Sequence, residues 1–298
     1  MRYKLEKLGC YMLIIILLPY VLTVFLNGPI VTSSTNVGEM TVNVSGKNGS
    51  ETIAMEDYGI GILAREVPGD FEMEALKAQA ILVRTRLYKE LQENGSETVF
   101  SEDFWTKQDM QEAWGIAKFT GYYSNLESAW KNTGGKILLY EGKPVHAPFF
   151  SLSNGSTRDG KEVLGKDFSY LKIKDCPMDI ESAEQIQTVI LDEINEGETK
   201  IEVLSCDTAG YVLKVRVGEE EVNGEEFRQN YNLASSCFSI QEYEGQIRIT
   251  TRGVGHGIGL SQYTANRMAE EGKNCDEILL YFYEGCEISE VVDFVRNI

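Results

Sequence analysis

At 298 residues, 43% hydrophobic and 25% charged, the chain can bury one large core or two modest ones, and its composition excludes disorder throughout. A formal net charge of −18 excludes attraction to nucleic acid or anionic lipid through bulk charge and speaks first to solubility. With only two histidines, His146 and His256, no Cys-x-x-Cys pair and no metal-ligand spacing, no metal and no other cofactor is expected.

Arg2, Lys4 and Lys7 precede a 17-residue apolar run from Cys10 to Leu26. Such a run reads as a membrane helix with its N-terminus inside, and its shortness also fits a cleaved signal peptide. The exit, Val24-Phe25-Leu26-Asn27-Gly28, lacks the small-x-small pattern of a cleavage site, which favours a retained anchor. The expected organisation is a cytoplasmic tail at 1–9, a transmembrane anchor at 10–26, a flexible spacer at 27–52, and an extracytoplasmic domain at 53–298. Cys176, Cys206, Cys237, Cys275 and Cys286 then lie outside the membrane, an odd number that leaves at least one thiol unpaired in a monomer.

Within the domain, Tyr58, Ile62 and Glu66 share one face of a helix over 54–66 that Pro68 ends. A second helix, capped by Asp70 and running to about residue 92, carries Leu76, Ala80, Val83 and Leu87 as its core stripe. An aromatic-rich region with Phe100, Phe104, Trp105, Trp114, Tyr122 and Tyr123 leads into a helix over 125–131. A hairpin follows, with strands at 136–140 and 144–151 around Glu141-Gly142. A helix near 181–195, strands at 199–204, 211–217 and 246–251, and helices at 262–271 and 275–284 complete the expected order. The fold class is α+β, a single domain with a central mixed β region and helices clustered near both ends.

Three stretches could carry chemistry. Glu66-Val67-Pro68 sets a carboxyl beside apolar neighbours, with Phe71 close behind, and burial there favours the protonated form that a general acid needs. On these residues alone, a surface glutamate at a helix end is the commoner outcome. In Gly253-Val254-Gly255-His256-Gly257-Ile258-Gly259-Leu260-Ser261-Gln262, alternate glycines make either a tight strand-to-helix turn capped by Ser261 or a loop against a ligand. Ser151-Leu152-Ser153-Asn154-Gly155-Ser156-Thr157 supplies hydroxyls and amides suited to sugar hydroxyls, and equally reads as a polar loop. No Gly-x-Ser-x-Gly elbow is present, which disfavours a serine hydrolase.

Together, residues 58–68, Ala75–Ala80 with Val83-Arg84-Thr85, 133–157 and 253–285 resemble the stage II sporulation protein D family of membrane-anchored lytic transglycosylases. The resemblance spans roughly 53–290. It implies cleavage of the β-1,4 bond between N-acetylmuramic acid and N-acetylglucosamine in peptidoglycan strands already stripped of stem peptides by a partner amidase. It also implies 1,6-anhydro ends, a place in sporulation engulfment beside other engulfment membrane proteins, and Glu66 as acid and then base. Two departures stand out: Val67 replaces the family's usual methionine, and Phe150 stands where many members have histidine, in a stretch some members use to bind zinc. Phenylalanine has no lone pair to give a metal.

The expected groove is lined by Glu66, Arg84, Ser151, Ser153, Thr157, His256, Gln262 and Tyr283, with Arg84 orienting the carboxylate or the glycan and His256 and Gln262 bonding the sugars. The alternative is a non-catalytic wall-binding protein that stimulates an amidase.

Overall fold

The computed structural model describes residues 40–46, 49–191, 200–243 and 246–291. The expected anchor at 10–26 lies outside the described residues. Among those described, no helix is long and apolar enough to cross a membrane.

The stretch read as the end of a spacer forms two antiparallel strands, β1 (Thr41–Gly46) and β2 (Gly49–Ala54), registered from Thr41 against Ala54. Val42 and Val44 are buried on one face of β1, a period of two that the surrounding Thr, Asn and Ser conceal in the sequence. Helix α1 (Met55–Glu66) follows at once. Eight of its residues are buried, including Gly59 and Gly61, where other elements press against the bare backbone. Helix α2 (Met73–Asn94) buries the expected stripe of Leu76, Ala80, Val83 and Leu87. Its N-cap is Glu72, without a side-chain cap bond; Asp70, expected as the cap, instead accepts a hydrogen bond from Tyr122 Oη at 2.9 Å.

After β3 (Val99–Phe100), which adds parallel to β1, comes helix α3 (Lys107–Asn132). The helix expected at 125–131 is the end of this longer element. The elongation was hidden by Gly115, whose backbone (φ 74°, ψ 158°) interrupts the helix. Helices α1, α2 and α3 pack on one another, and α2 also packs on β4 (Lys136–Tyr140). Leu138 N–H donates to Thr85 Oγ1 at 2.9 Å, so a β strand is bonded directly to a helix side chain in the core.

The expected hairpin is shorter than its pattern suggested. β4 pairs with β5 (Lys143–Pro144), but β6 (Phe149–Phe150) leaves that sheet and runs parallel to β13 (Leu260–Ser261). Helix α4 (Gly160–Val163) and two 3-10 turns (Lys166–Phe168 and Pro177–Glu181) occupy the segment between. A strand, β7 (Ile186–Leu191), stands where a helix was expected near 181–195. Its residues are almost all β-branched or apolar, and pairing with β12 (Gln246–Arg252) overrides the helical propensity of the flanking Glu and Gln.

β8 (Ile201–Cys206), β9 (Val212–Val217) and β10 (Glu220–Asn223) form one antiparallel sheet; β7, β12 and β11 (Phe238–Tyr243) form another. Together with helix α5 (Gly224–Asn230) they enclose a second core of Ile201, Val212, Val215, Phe227, Phe238 and Ile249. Helices α6 (Gln262–Glu270) and α7 (Cys275–Phe282) and strand β14 (Glu287–Glu290) close the domain, β14 returning to β4. The fold is a mixed α+β domain. All five cysteines among the described residues are free thiols.

The packing of α1 on α3 gives a direct test. A Cβ on Gly59 would fall 2.2 Å from the Trp130 ring, so Gly59→Ala should cost about 1–3 kcal/mol in denaturant unfolding.

Candidate active groove

Glu66 is the last residue of α1. Val67 closes the helix through its N–H to Leu63 O at 2.9 Å, with extended backbone (φ −128°, ψ 134°), and Pro68 prevents another turn. The chain therefore turns away at the point where the glutamate side chain emerges. That side chain is half-buried, and its carboxylate has no hydrogen-bond or ion-pair partner among the described residues.

Its backbone carbonyl is held from the other end of the sequence. Gln262 Nε2 donates to Glu66 O at 3.0 Å. Gln262 opens α6, whose N-cap Ser261 accepts from Thr264 N–H, as the turn reading expected. Tyr263 N–H donates to Ser151 O at 3.1 Å, bringing Ser151 to the same place. Glu66, Ser151 and Gln262 thus meet. They line two adjoining cavities of about 500 and 450 Å³, which share Arg65, Glu66, Trp105, Ser151 and Gln262. The larger extends past Phe71 and Trp114, the smaller past Phe149 and Phe150.

The alternating glycines aim α6. Gly257 and Gly259 have φ of +77° and +84°, and a Cβ would lie 2.4 Å from the Tyr211 ring in the first case and 1.9 Å from Pro148 O in the second. Backbone, with no side chain, threads between those two groups. Beneath the turn lies Asp179, fully buried, which accepts hydrogen bonds from Ser153 N–H and Ser261 Oγ, both at 2.7 Å, and from Thr264 Oγ1 at 2.6 Å.

His256 sits within this turn, its ring 5.7 Å from that of Phe150; Phe150 lines the smaller cavity, and His256 lines neither of the two. Its Nδ1 accepts from Ile258 N–H at 3.1 Å, so the neutral ring carries its proton on Nε2. Burial pushes its pKa down from 6.5 to about 4.

Four expected groove residues spend their polar atoms inside the fold. Arg84 is buried in α2, stacked 4.1 Å from the centre of the Trp130 ring, and donates to Trp130 O at 2.9 Å and Thr133 O at 2.8 Å. It caps the carbonyl end of α3, a role that no periodicity in α2 announces. Ser153 Oγ accepts from Gly155 N–H, Thr157 bridges Lys172 O and Lys174 N–H, and Tyr283, fully buried, donates to Pro148 O at 2.6 Å.

The structure adds groups the sequence did not single out. Trp105 and Trp114 line the cavity beside Glu66, and Glu102 holds a second carboxyl within the field of Glu66. Burial raises Glu102 above its ordinary value, the Arg86 guanidinium 2.8 Å away opposes the rise, and the charge on Glu66 adds to it. Among the described residues, no three or more His, Cys, Asp or Glu side chains are grouped to hold a metal ion.

The profile described as stage II sporulation protein matches residues 45–140, from β1 through α3 to β4, and so includes Glu66. The chain is 33% identical over 271 residues to stage II sporulation protein D of Bacillus amyloliquefaciens, covering 83% of this chain and 77% of that protein. It belongs to the stage II sporulation protein D family. The family's Bacillus subtilis protein of the same name is 32% identical over 270 residues, with 83% and 78% covered. The amidase enhancer of Bacillus subtilis is similar at a greater distance, 23% identical over 295 residues and 77% of this chain, but 40% of that protein.

Two outcomes follow from this geometry. Asp179→Ala leaves three buried donors without their acceptor and should cost about 2–4 kcal/mol in chemical unfolding. A folded His256 value below the ordinary one means that its contribution to stability is full above pH 6.5 and lost as pH falls from there towards 4. The difference in melting temperature between the native protein and His256→Asn should therefore change across that window and level off above it.

Proposed function

We propose that this protein is a membrane-anchored peptidoglycan lytic transglycosylase acting during sporulation, with Glu66 as its acid and base. The observation that carries the reading is the unpartnered Glu66 carboxyl at the junction of two adjoining cavities, large enough together for several sugar rings. Family membership supports the sporulation setting.

The chemistry needs one carboxyl. Protonated Glu66 gives its proton to the bridging oxygen, so the bond from the muramic acid C1 to that oxygen breaks and the leaving N-acetylglucosamine keeps its hydroxyl. The resulting carboxylate takes the proton from the same muramic acid's C6 hydroxyl as that oxygen bonds to C1. The products are a 1,6-anhydro end and a free 4-hydroxyl, and Glu66 is again protonated. No water attacks, so no second carboxylate at hydrolase spacing is required.

Gln262 fixes the backbone at Glu66, and with Ser151 offers amide and hydroxyl groups to the strand. His256 supports the turn that carries Gln262, while Arg84, Ser153, Thr157 and Tyr283 hold the surrounding framework. In this proposal residues 10–26 anchor the chain, the domain lies outside the cytoplasm, and a partner amidase prepares peptide-free strands. A second reading, a non-catalytic wall protein that stimulates such an amidase, is favoured by the similarity to the amidase enhancer.

Incubating the full-length protein with peptide-free peptidoglycan separates the two. The expected products are anhydro-ended fragments, and Glu66→Gln should cut their rate at least roughly a hundredfold while the mutant still co-sediments with the wall. Equal rates for mutant and native protein would sink the mechanism; sedimentation without products from either would leave the amidase-stimulating reading.

A further inference from the structure

We infer that Trp105 and Trp114 form an aromatic wall on which a pyranose ring of a β-1,4-linked N-acetylhexosamine strand stacks beside Glu66. The inference rests on the reading of the groove as a glycan site and adds which residues hold the sugar faces.

Both tryptophans are half-buried, and both line the larger cavity together with Glu66. Their rings are 5.9 Å apart at 67°, so they meet as a corner, and Trp114 continues edge-on to Tyr122 at 5.5 Å. The row is anchored on both sides of Glu66. Five residues before it, Trp105 N–H donates to Gly61 O at 3.1 Å, and a Cβ on Gly61 would fall 2.6 Å from Trp105 O. Three residues after it, a Cβ on Gly69 would fall 2.6 Å from Tyr122 Cβ. Bare backbone at 61 and 69 thus lets the aromatic row close in on the helix end that bears the carboxyl.

The same cavity is also lined by polar groups, Ser151 and Gln262 among them. A β-1,4-linked pyranose has the same division. Its equatorial substituents leave two faces of C–H groups, which suit an indole, and a rim of hydroxyl and amide groups, which suits Ser151 and Gln262. Trp105 lines both cavities, whereas Trp114 lines only the larger, so Trp114 marks one arm of the groove. The third tryptophan, Trp130, lies buried under Arg84, away from any stacking surface.

Tryptophan fluorescence of the full-length protein reads this directly. In the Glu66→Gln background, which holds the strand without turning it over, titration with the β-1,4 tetramer of N-acetylglucosamine should shift the emission saturably. Adding Trp114→Ala should raise the half-saturation concentration roughly tenfold, and Trp114→Phe, which keeps a flat ring, should recover most of it. Unchanged affinity in Trp114→Ala, or no tetramer binding by the parent, overturns the wall. Native protein that cuts glycan while Trp114→Ala binds normally discards the wall alone. The expected titration from a native protein that cuts nothing keeps the wall and discards the enzyme.

Discussion

The groove depends on one buried carboxylate. Asp179 has no cation beside it among the described residues, yet it lies at no exposure to solvent. Three hydrogen bonds and the N-terminal end of α6 replace water around it, since a helix start presents partial positive charge to an acid placed there. Those bonds come from the Ser153 loop, the α6 cap and the first turn of α6. Their common acceptor fixes the height at which Gln262 leaves the helix, and Gln262 in turn holds the Glu66 carbonyl. Residues 66, 153, 179 and 262 become neighbours through a group that takes no part in the proposed bond cleavage.

Arg84 and Tyr283 show the same economy elsewhere. The Arg84 guanidinium closes the carbonyl end of α3 and stacks on Trp130, so a burial that lowers its pKa to about 10 is offset by several hydrogen bonds and a ring. Tyr283 carries a hydroxyl to Pro148 O, beside the Gly259 backbone that also presses there. Polar groups at these positions set the shape of the walls while the reacting side is left to a few residues.

Local pattern made much of this legible in the sequence. The apolar stripe of α2, the proline after Glu66, and Ser261 before α6 each act within a few residues, and each element formed where its own chemistry indicated. What the sequence concealed was long-range. Strand β7 exists because β12 pairs with it, and β6 leaves its hairpin for β13 more than a hundred residues later. A resemblance singles out positions that matter, but it does not distinguish a side chain that lines a groove from one that braces it; Thr157 and Arg84 are of the second kind. Trp105 and Trp114 were visible only as aromatic residues in a loop-rich stretch. Their meeting, and that of Trp114 with Tyr122 across the kink at Gly115, depends on three-dimensional packing that no periodic pattern encodes.

The five free thiols carry a different consequence. Cys176, Cys237, Cys275 and Cys286 are buried, and burial pushes Cys176, Cys275 and Cys286 up to about 12, so they stay protonated and unreactive at neutral pH. The described domain therefore holds its shape by packing and hydrogen bonding, without a covalent crosslink. Its architecture asks nothing of the oxidising or reducing character of the compartment in which the chain comes to rest.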